Sequence, residues 1–409
     1  MKKNFCSSIR SGLGKWWKII TAICLSLFIL LFSYLLGNTS FPLPDEIGLF
    51  QKINFVNSLM GISKGNVPDS LLFINVSFDK ELVDYEENGM PVGKYVITDR
   101  EKLLRLLSTA KETKNYRYIF LDVIFEKGIK SSVDSALFHT IADMDRIVIP
   151  VHNNVALEDS ILYKKAANAD YTIAWEETNF ARYQFLHRDE RFVPSVPLKM
   201  YCDKMNIEGS GIKSHAGGLW YTDSMWPWHI CHNGITLLMK VIMTGRFMDT
   251  EGQVRERNYI NLGADLLDID SIIPIKEQIE DKILVIGDFK NDVHDTYIGP
   301  QPGSVICMNA YIALMNGDHI VNWWCALALF IIYTAIGFFY LSGYSFTNFV
   351  KWTWLKVIVS FMSTTLIFMI IAAIAYYFEV SFNIWVPTLV YSLLDTIMQK
   401  YNDFYKRNS

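Results

Sequence analysis

Cysteine is scarce in this sequence of 409 residues. It has six cysteines, and only three of them lie in the polar middle of the chain, at Cys202, Cys231 and Cys307. An odd number of cysteines does not make a complete disulfide framework. One Cys202–Cys231 bridge and a set of free thiols are the two alternatives, and free buried cysteine is common.

A basic surface is missing as well. Lysine and arginine together number 38 against 42 for aspartate and glutamate, so the net charge is −4. Basic residues form only short clusters, and no internal repeat or low-complexity tract occurs. Nucleic-acid-binding domains concentrate positive charge on one face. We therefore expect no nucleic-acid partner.

The N-terminal apolar run lacks a cleavage site. Residues 19–36 are uncharged and apolar, follow a basic segment at 1–18, and are long enough to cross a bilayer. The residues after this run contain neither a small-x-small cleavage motif nor a cysteine for lipid attachment. These features predict an uncleaved signal anchor rather than a removed signal peptide.

The C-terminal part of the chain predicts three more transmembrane helices within 321–398. The last of them is the weakest, because it contains Asn383, Pro387 and Asp395. The three apolar runs are Val321–Leu341, Val357–Tyr377 and Val380–Ile397.

Basic residues fix the predicted orientation of these helices. They occupy the N-terminal segment, the link 342–356 and the tail 399–409. The link between the last two apolar runs has Glu379 as its only charged residue. Lysine and arginine are retained on the cytoplasmic side of membranes. Both termini are therefore predicted in the cytoplasm and residues 40–320 outside it, as in a multi-pass protein of a bacterial cytoplasmic (inner) membrane.

The segment 40–320 has the pattern of an α/β domain. Short runs rich in apolar and β-branched residues alternate with the helical patterns Thr98–Thr113 and Asp134–Ala142. Such alternation predicts a mostly parallel sheet with flanking helices. A further strand is predicted at Asn258–Leu262. The four main predicted strands are Leu71–Ser77, Tyr118–Val123, Arg146–Val151 and Lys282–Gly287.

The last of these strands leads towards the membrane. A polar loop follows it, and then a helix is predicted over Val305–Met315, with Ser304 as its N-cap and Gly317 at its end. The second apolar run begins at Val321, so too few residues separate helix and run for a flexible tether. We expect this segment to couple the domain to the membrane.

Several of these stretches together resemble the CHASE2 family of extracytoplasmic sensory domains. The likeness covers about residues 45–320, and one departure is Tyr297, where the family commonly has proline after the threonine. The matching stretches are Ile74–Asp79, Thr98–Arg100, Phe120–Phe125, Asp134–Leu137, Asp281–Gly287, Asp292–Thr296, Pro302–Gly303 and Asn309–Ala310.

The resemblance implies a sensory module rather than an enzyme. Domains of this family usually precede a cyclase, kinase or phosphatase, and this sequence ends soon after its last apolar run. We therefore expect no cofactor, a small-molecule or envelope ligand, contact with the lipid bilayer, and a separate signalling protein as partner. A homodimer is an open alternative. A structural or assembly protein of the cell envelope, without ligand binding, is the other interpretation.

Candidate binding residues follow from the predicted sheet. Open parallel sheets bind ligands beyond the carboxyl ends of their strands, although aspartates there also cap helices and close turns. Asp122 is the strongest candidate, because a charge inside an apolar strand needs a partner, and Arg100 could be that partner. The candidates are Asp79, Arg100, Asp122, His152, Asp288, Asp292 and Asp295, and Asn153 lies beside them.

Two other polar groups are weaker candidates. The loop with Asp288, Asp292, His294 and Asp295 lacks the spacing of a known metal-binding loop. A looser group contains His215, His229, Cys231 and His232. Neither group predicts a metal site, and no nucleophile–base pair for catalysis is evident.

Overall fold

The computed structural model describes most of an α/β domain and two long helices. The described residues are 2–38, 48, 51–52, 70–87, 90–152, 155–170, 180, 182–188, 192–207, 212–215, 218–220, 230–243, 259–267, 274–342 and scattered positions between 371 and 397.

The described elements include both helices and strands. The helices are α1 Lys2–Gly37, α2 Arg100–Thr113, α3 Asp134–Asp143, α4 Val196–Met205, α5 Ile275–Ile279, α6 Gly303–Asn316 and α7 Trp323–Leu341, with a 3₁₀ helix at Ser160–Lys164 and a π-helix at Leu262–Leu267. The strands are β1 Leu71–Asn75, β2 Lys80–Glu87, β3 Met90–Thr98, β4 Tyr118–Asp122, β5 Ile147–Val151, β6 Ala166–Asn168, β7 Arg182–Gln184, β8 Leu186–Arg188, β9 Phe192–Pro194, β10 Lys213–His215, β11 Gly218–Trp220, β12 Cys231–His232, β13 Gly234–Thr236, β14 Tyr259–Asn261, β15 Ile283–Gly287, β16 Val293–Thr296 and β17 Gly299–Pro302.

A parallel sheet of six strands forms the centre of the domain, in the order β14-β1-β15-β4-β5-β6. The predicted α/β class with a mostly parallel sheet is therefore confirmed. All four main predicted strands and the strand predicted at Asn258–Leu262 lie in this sheet, and each ends within two residues of its predicted bounds. The last of these six strands in sequence, β15, is inserted between β1 and β4.

Helices cover both faces of this sheet, because alternate residues of its strands point to opposite sides. Leu71 and Phe73 pack with α4 and α6 in one apolar cluster. Leu72 and Ile74 pack with α2 and α3 in the other. The central strands β1 and β15 are buried along their whole length, as expected for strands covered on both faces.

Two helix starts differ from the prediction. Helix α2 begins at Arg100, because the side chain of Asp99 caps it by accepting a hydrogen bond from the backbone N–H of Lys102 at 3.0 Å. Helix α6 begins at Gly303 with Pro302 at the N-cap, so the predicted N-cap Ser304 lies inside the helix. Its predicted end at Gly317 is confirmed, and Gly317 has a positive φ of 77° that suits glycine.

Two helices are long and apolar enough to cross a membrane, Trp16–Gly37 within α1 and Trp323–Leu341. They coincide with the predicted signal anchor and second span. They pack together closely, since a Cβ on Gly337 would lie 3.4 Å from the Cβ of Ala22. The predicted spans Val357–Tyr377 and Val380–Ile397 and the tail 399–409 lie largely outside the described residues.

No disulfide joins Cys202 and Cys231. Both are buried and neither forms a bridge, so the alternative of a Cys202–Cys231 bridge is wrong.

Candidate functional site

A cavity of about 520 Å³ opens at the carboxyl edge of the central sheet. Its lining comes from the ends of β4, β5 and β6, from the loop after β15 and from the base of the β2–β3 hairpin. This is the edge at which the parallel-sheet argument predicts a site. Five of the seven predicted residues line it: Arg100, Asp122, His152, Asp288 and Asp292.

Asp122 is the last residue of β4 and pairs in register with Gly287 of β15. Burial raises the pKa of its carboxyl to about 8, and the neighbouring carboxylate of Asp292 adds to this rise, while His294 opposes it. No hydrogen bond or ion pair joins the Asp122 side chain to any residue in the part of the chain that the structure describes. Near neutral pH this carboxyl is therefore mostly protonated and available to a ligand.

Gly287 makes this arrangement possible. A Cβ at this position would lie 3.3 Å from the Cβ of Asp122 and 3.2 Å from Oγ of Ser304. Both distances are shorter than ordinary contacts between non-bonded heavy atoms. The absent side chain lets the first turn of α6 approach the end of the sheet beside Asp122.

Asp288 holds the base of the loop that leaves β15. Nζ of Lys80 lies 2.7 Å from its Oδ2, the backbone N–H of Asn291 donates to its Oδ1 at 2.9 Å, and Oγ of Ser77 lies 2.6 Å from the same oxygen. Burial would raise the pKa of Asp288, but these hydrogen bonds together hold it well below its ordinary value. Asp288 is therefore a permanently ionised clamp between the exit of β1 and the loop.

Two histidine–carboxylate pairs stand around the cavity. Nε2 of His294 lies 3.0 Å from Oδ1 of Asp292, and this hydrogen bond raises the pKa of His294. Nδ1 of His152 lies 2.7 Å from Oδ1 of Asp170. Each pair joins one basic group to one acid, so these two carboxylates have a partner within the protein.

Arg100 corrects one prediction. It was expected to pair with Asp122, but its Nη1 donates to Oδ2 of Asp134 at 2.5 Å and to the carbonyl of Ile129 at 3.1 Å. Its guanidinium also lies over the rings of Phe125 and Phe138. These partners hold the buried Arg100 in the lining of the cavity, where Asp134 balances its charge.

Asp79 and Asp295 do not belong to the lining of the cavity. Asp79 is buried against α2, where Nζ of Lys102 lies 2.6 Å from its Oδ1 and the backbone N–H of Gly263 donates to its Oδ2 at 3.0 Å. It therefore ties β1 to the π-helix. Asp295 lies exposed in β16, opposite Pro300 of β17. Asn153 lies outside the described residues.

An apolar wall faces the acidic end of the cavity. Tyr95, Val96 and Ile97 of β3 line it, together with Ile124 after β4. Tyr95 is 53% exposed and Val96 is 61% exposed. Large apolar side chains with this much exposure that border a cavity are a common feature of ligand sites.

Three lining residues with acidic or basic side chains are not among the predicted ones. Lys80 is the first residue of β2, Asp170 follows β6, and the sequence analysis names His294 only in the loop that lacks metal-binding spacing. Asp170 could have been found from the same argument as Asp122, but β6 has only three residues, which is too short for its strand pattern to be recognised.

The weaker sequence candidates form no site in the described part of the chain. Within it, no three His, Cys, Asp or Glu side chains lie close enough to hold a metal ion. His232 is packed against the ring of Tyr34, and burial lowers its pKa to about 4. His229 lies outside the described residues.

Comparison with known proteins gives no relative from which to carry over an activity. No family model, no curated protein and no solved structure matches this chain.

Proposed function

We propose that this protein is a membrane-anchored extracytoplasmic sensor, similar to CHASE2 domains, whose cavity binds a small ligand and whose transmembrane helices pass the signal to a separate protein. The observation that carries this proposal is that one short segment joins the cavity to a transmembrane helix. The loop after β15 contributes Asp288 and Asp292 to the cavity, and the start of β16 contributes His294. The same segment continues through β16 and β17 into α6 and then α7.

Hydrogen bonds make this segment a mechanical link. The backbone N–H of Gly303, the first residue of α6, donates to the carbonyl of Asp292 at 3.1 Å. A shift of Asp292 therefore acts directly on the start of the helix. Within α6, Asn309 is fully buried, and its side chain accepts from the backbone N–H groups of Lys240 and Val241 and donates to the carbonyl of Val241. The helix thus moves together with the layer that covers the sheet.

The connection from α6 to α7 is also held in place. The backbone N–H of His232 donates to the carbonyl of His319 at 2.7 Å, and the backbone N–H of Val321 donates to the carbonyl of Ile230 at 2.9 Å. Tyr34 at the end of α1 donates from its hydroxyl to the carbonyl of Cys231 at 3.2 Å. Both transmembrane helices therefore meet the domain at one fixed junction, which supports rigid coupling over a loose tether.

The proposal includes the localisation and the partners. The protein lies in a cytoplasmic membrane as a multi-pass protein, with residues 40–320 outside and both termini inside, and its output is the activity of a separate membrane or cytoplasmic signalling protein. The positive-inside bias of the basic segments supports this orientation. The protein itself is proposed to carry no catalytic activity, and a homodimer is compatible with it.

A structural or assembly role in the cell envelope is the alternative. It is favoured by the clamps at Asp79 and Asp288, in which the polar groups at the sheet edge satisfy each other. The open cavity beside Asp122 favours the sensor, because a purely structural sheet edge needs no space of this size.

Photo-cross-linking in intact cells tests the sensor. A benzoylphenylalanine replaces Lys3 in the basic N-terminal segment, and the partner captured from the full-length protein is identified by mass spectrometry. The cavity variants Asp122→Asn and Asp292→Asn are expected to change the yield of cross-linked partner by about two-fold or more. They alter the balance between the two signalling states of the proposed sensor. The exposed Asp143→Asn is the matched control.

Insertion of a Gly-Ser stretch after Gly317 tests the coupling in the same cells. The insertion should abolish the difference in the yield of cross-linked partner between the cavity variants and the unmodified protein, while expression stays normal. If a partner is captured reproducibly and its yield changes neither with the cavity variants nor with the insertion, the structural role is favoured.

A further inference from the structure

The charged groups of the cavity leave one carboxyl without a counter-charge. Four aspartates line the cavity. Asp288 has Lys80, Asp292 has His294 and Asp170 has His152. Asp122 has no ion-pair partner among the described residues. The two strongly basic groups of the lining are already used, since Lys80 is paired with Asp288 and Arg100 with Asp134.

The arrangement of ion pairs in the cavity determines which ligand charge it favours. An anionic ligand would have to compete with Asp288 for Lys80, with Asp134 for Arg100 or with Asp292 for His294. A cationic group meets Asp122, which gains a partner without the loss of any contact inside the protein. A like charge placed against a partly buried charge is strongly disfavoured, so the cavity favours a cation.

The rest of the lining selects for an apolar body on that cation. Tyr95, Val96 and the half-buried Ile97 lie in the wall formed by the β2–β3 hairpin, and Tyr95 and Val96 are exposed. Tyr95 also offers an aromatic face, which attracts ammonium groups. The volume of about 520 Å³ falls in the range of sites for small organic molecules, and it is much larger than a hydrated metal ion needs.

We propose, building on the sensor function above, that the cavity binds a small organic ammonium ion, with its nitrogen against Asp122 and its apolar body against the β3 wall beside Tyr95. A primary or secondary amine on an aromatic or branched aliphatic group has this chemistry. The nitrogen donates hydrogen bonds to the Asp122 carboxylate, and the apolar body covers side chains that otherwise face water.

Proton release accompanies this binding. The carboxyl of Asp122 has a pKa of about 8 in the free protein, so the ammonium ion displaces a proton below that pH. The affinity therefore rises about ten-fold for each pH unit as the pH increases towards 8, and it levels off above that value. The charged and titratable groups around Asp122 are Asp288, Asp292, His294, Lys80, Arg100, His152, Asp170 and Tyr95 of the lining, and Tyr183, which interacts electrostatically with Asp122.

Calorimetric titration of the full-length protein in lipid nanodiscs tests the proposal. The probe is 2-phenylethylammonium, with 2-phenylethanol as the neutral analogue, 3-phenylpropanoate as the anionic analogue and methylammonium as the cation without an apolar body. Empty nanodiscs correct for partition of the probe into lipid. The expected order of affinity has 2-phenylethylammonium first by at least about ten-fold, since it alone uses both parts of the cavity.

Two substitutions locate the site. Asp122→Asn should weaken binding of 2-phenylethylammonium by about thirty-fold or more and remove the pH dependence, because it deletes a partly buried charge partner. Tyr95→Ala should weaken it by about three- to ten-fold and leave the weak binding of methylammonium unchanged. Asp143→Asn, which makes the same chemical change on the exposed surface, should alter neither.

The outcomes separate this proposal from the sensor function. Equal binding of 2-phenylethanol, tighter binding of 3-phenylpropanoate or no binding of any probe overturns the ammonium ligand. The cross-linking experiment uses no probe, so it judges the sensor function independently. A partner that responds to the cavity variants, combined with a preference for the anionic probe, would keep the sensor and reject the ammonium ligand.

Discussion

Replacement of Asp122 by asparagine should make the protein more stable, and the gain should depend on pH in a defined way. The carboxyl has a pKa of about 8 in the folded protein against 3.8 for the ordinary value. An acid whose pKa is raised by folding binds its proton more tightly in the folded state. Its contribution to stability is complete below pH 4 and is lost as the pH rises to about 8. Asparagine cannot ionise, so Asp122→Asn does not lose stability in this way as the pH rises.

The expected size follows from the shift and from the position of the side chain. A difference of about four pKa units, at about 1.4 kcal/mol per unit, sets a ceiling of about 6 kcal/mol. The side chain opens onto a cavity that admits water, and solvent around a charged group lowers its desolvation cost. We therefore expect the free energy of unfolding of Asp122→Asn to exceed that of the unmodified protein by about 2–3 kcal/mol at pH 8.

Pulse proteolysis in urea measures this difference for the full-length protein in lipid nanodiscs between pH 5 and pH 9. The stability gap should widen from pH 5 to pH 8 and stay constant above pH 8. His294 also loses stabilising interactions as the pH rises, because its pKa is raised by Asp292, but it is present in both proteins and largely cancels in the difference.

Asp143→Asn is the control for this experiment. Asp143 is exposed, and its hydrogen bond with Lys111 lowers its pKa, so its ionisation does not change between pH 5 and pH 9. A constant gap for Asp122→Asn over the same range would refute the reasoning. A variant less stable than the unmodified protein at pH 8 would refute it as well.

Three further predictions concern packing and topology. A Cβ on Gly263 would lie 2.2 Å from Oδ1 of Asp79, so Gly263→Ala should lower the free energy of unfolding by about 1–3 kcal/mol. Gly93→Ala is the control: a Cβ there has nothing within 4 Å, and the free energy of unfolding should change by less than about 0.5 kcal/mol. Asn309→Leu leaves the backbone N–H groups of 240–241 without their acceptor and should cost about 3 kcal/mol or more in the same proteolysis assay. The variant Asp143→Cys should react with a membrane-impermeant maleimide in intact cells whose outer membrane is permeabilised, and reaction only after lysis would contradict the proposed orientation.

The central sheet could be predicted because its strands are covered on both faces. Ile283–Gly287 and Tyr118–Asp122 are continuous apolar runs, and such runs identify buried parallel strands without any tertiary information. Once the strands are known, their carboxyl ends must meet at one edge. That is why Asp122, Asp288 and Asp292 could be placed around one crevice from sequence.

The partners of these side chains could not be predicted in the same way. Arg100 and Asp122 are both suited to an ion pair, but the first turn of α2 directs Arg100 towards Asp134 instead. Which of several nearby acids a guanidinium meets depends on helix orientation, and a single sequence carries little information on that. Asp79 likewise follows a strand yet meets Lys102 and Gly263 rather than the cavity.

The β2–β3 hairpin was missed although a signal for it exists. Glu87 and Met90 are paired in its register, and the residues between them are Asn88 and Gly89, the most favourable pair for a two-residue hairpin loop. A search for buried apolar runs passes over it, because this hairpin is largely exposed. It is also the element that brings Tyr95 and Val96 to the cavity, so the apolar half of the site was absent from the sequence-based prediction.

In the proposed sensor, the two carboxylates of the loop after β15 have different roles. Asp288 is held by Lys80 and Asn291 and lies next to the rigid end of the strand, so its position is fixed whatever occupies the cavity. The side chain of Asp292 is held by His294, its backbone N–H donates to the carbonyl of Asp288 at 3.2 Å, and its carbonyl accepts from the first N–H of α6. A positive charge beside Asp122 removes the repulsion that an ionised Asp122 would exert on Asp292, and Asp292 can then approach the cavity. Because the base of the loop is clamped, such a movement is directed along the chain into α6 and towards the membrane.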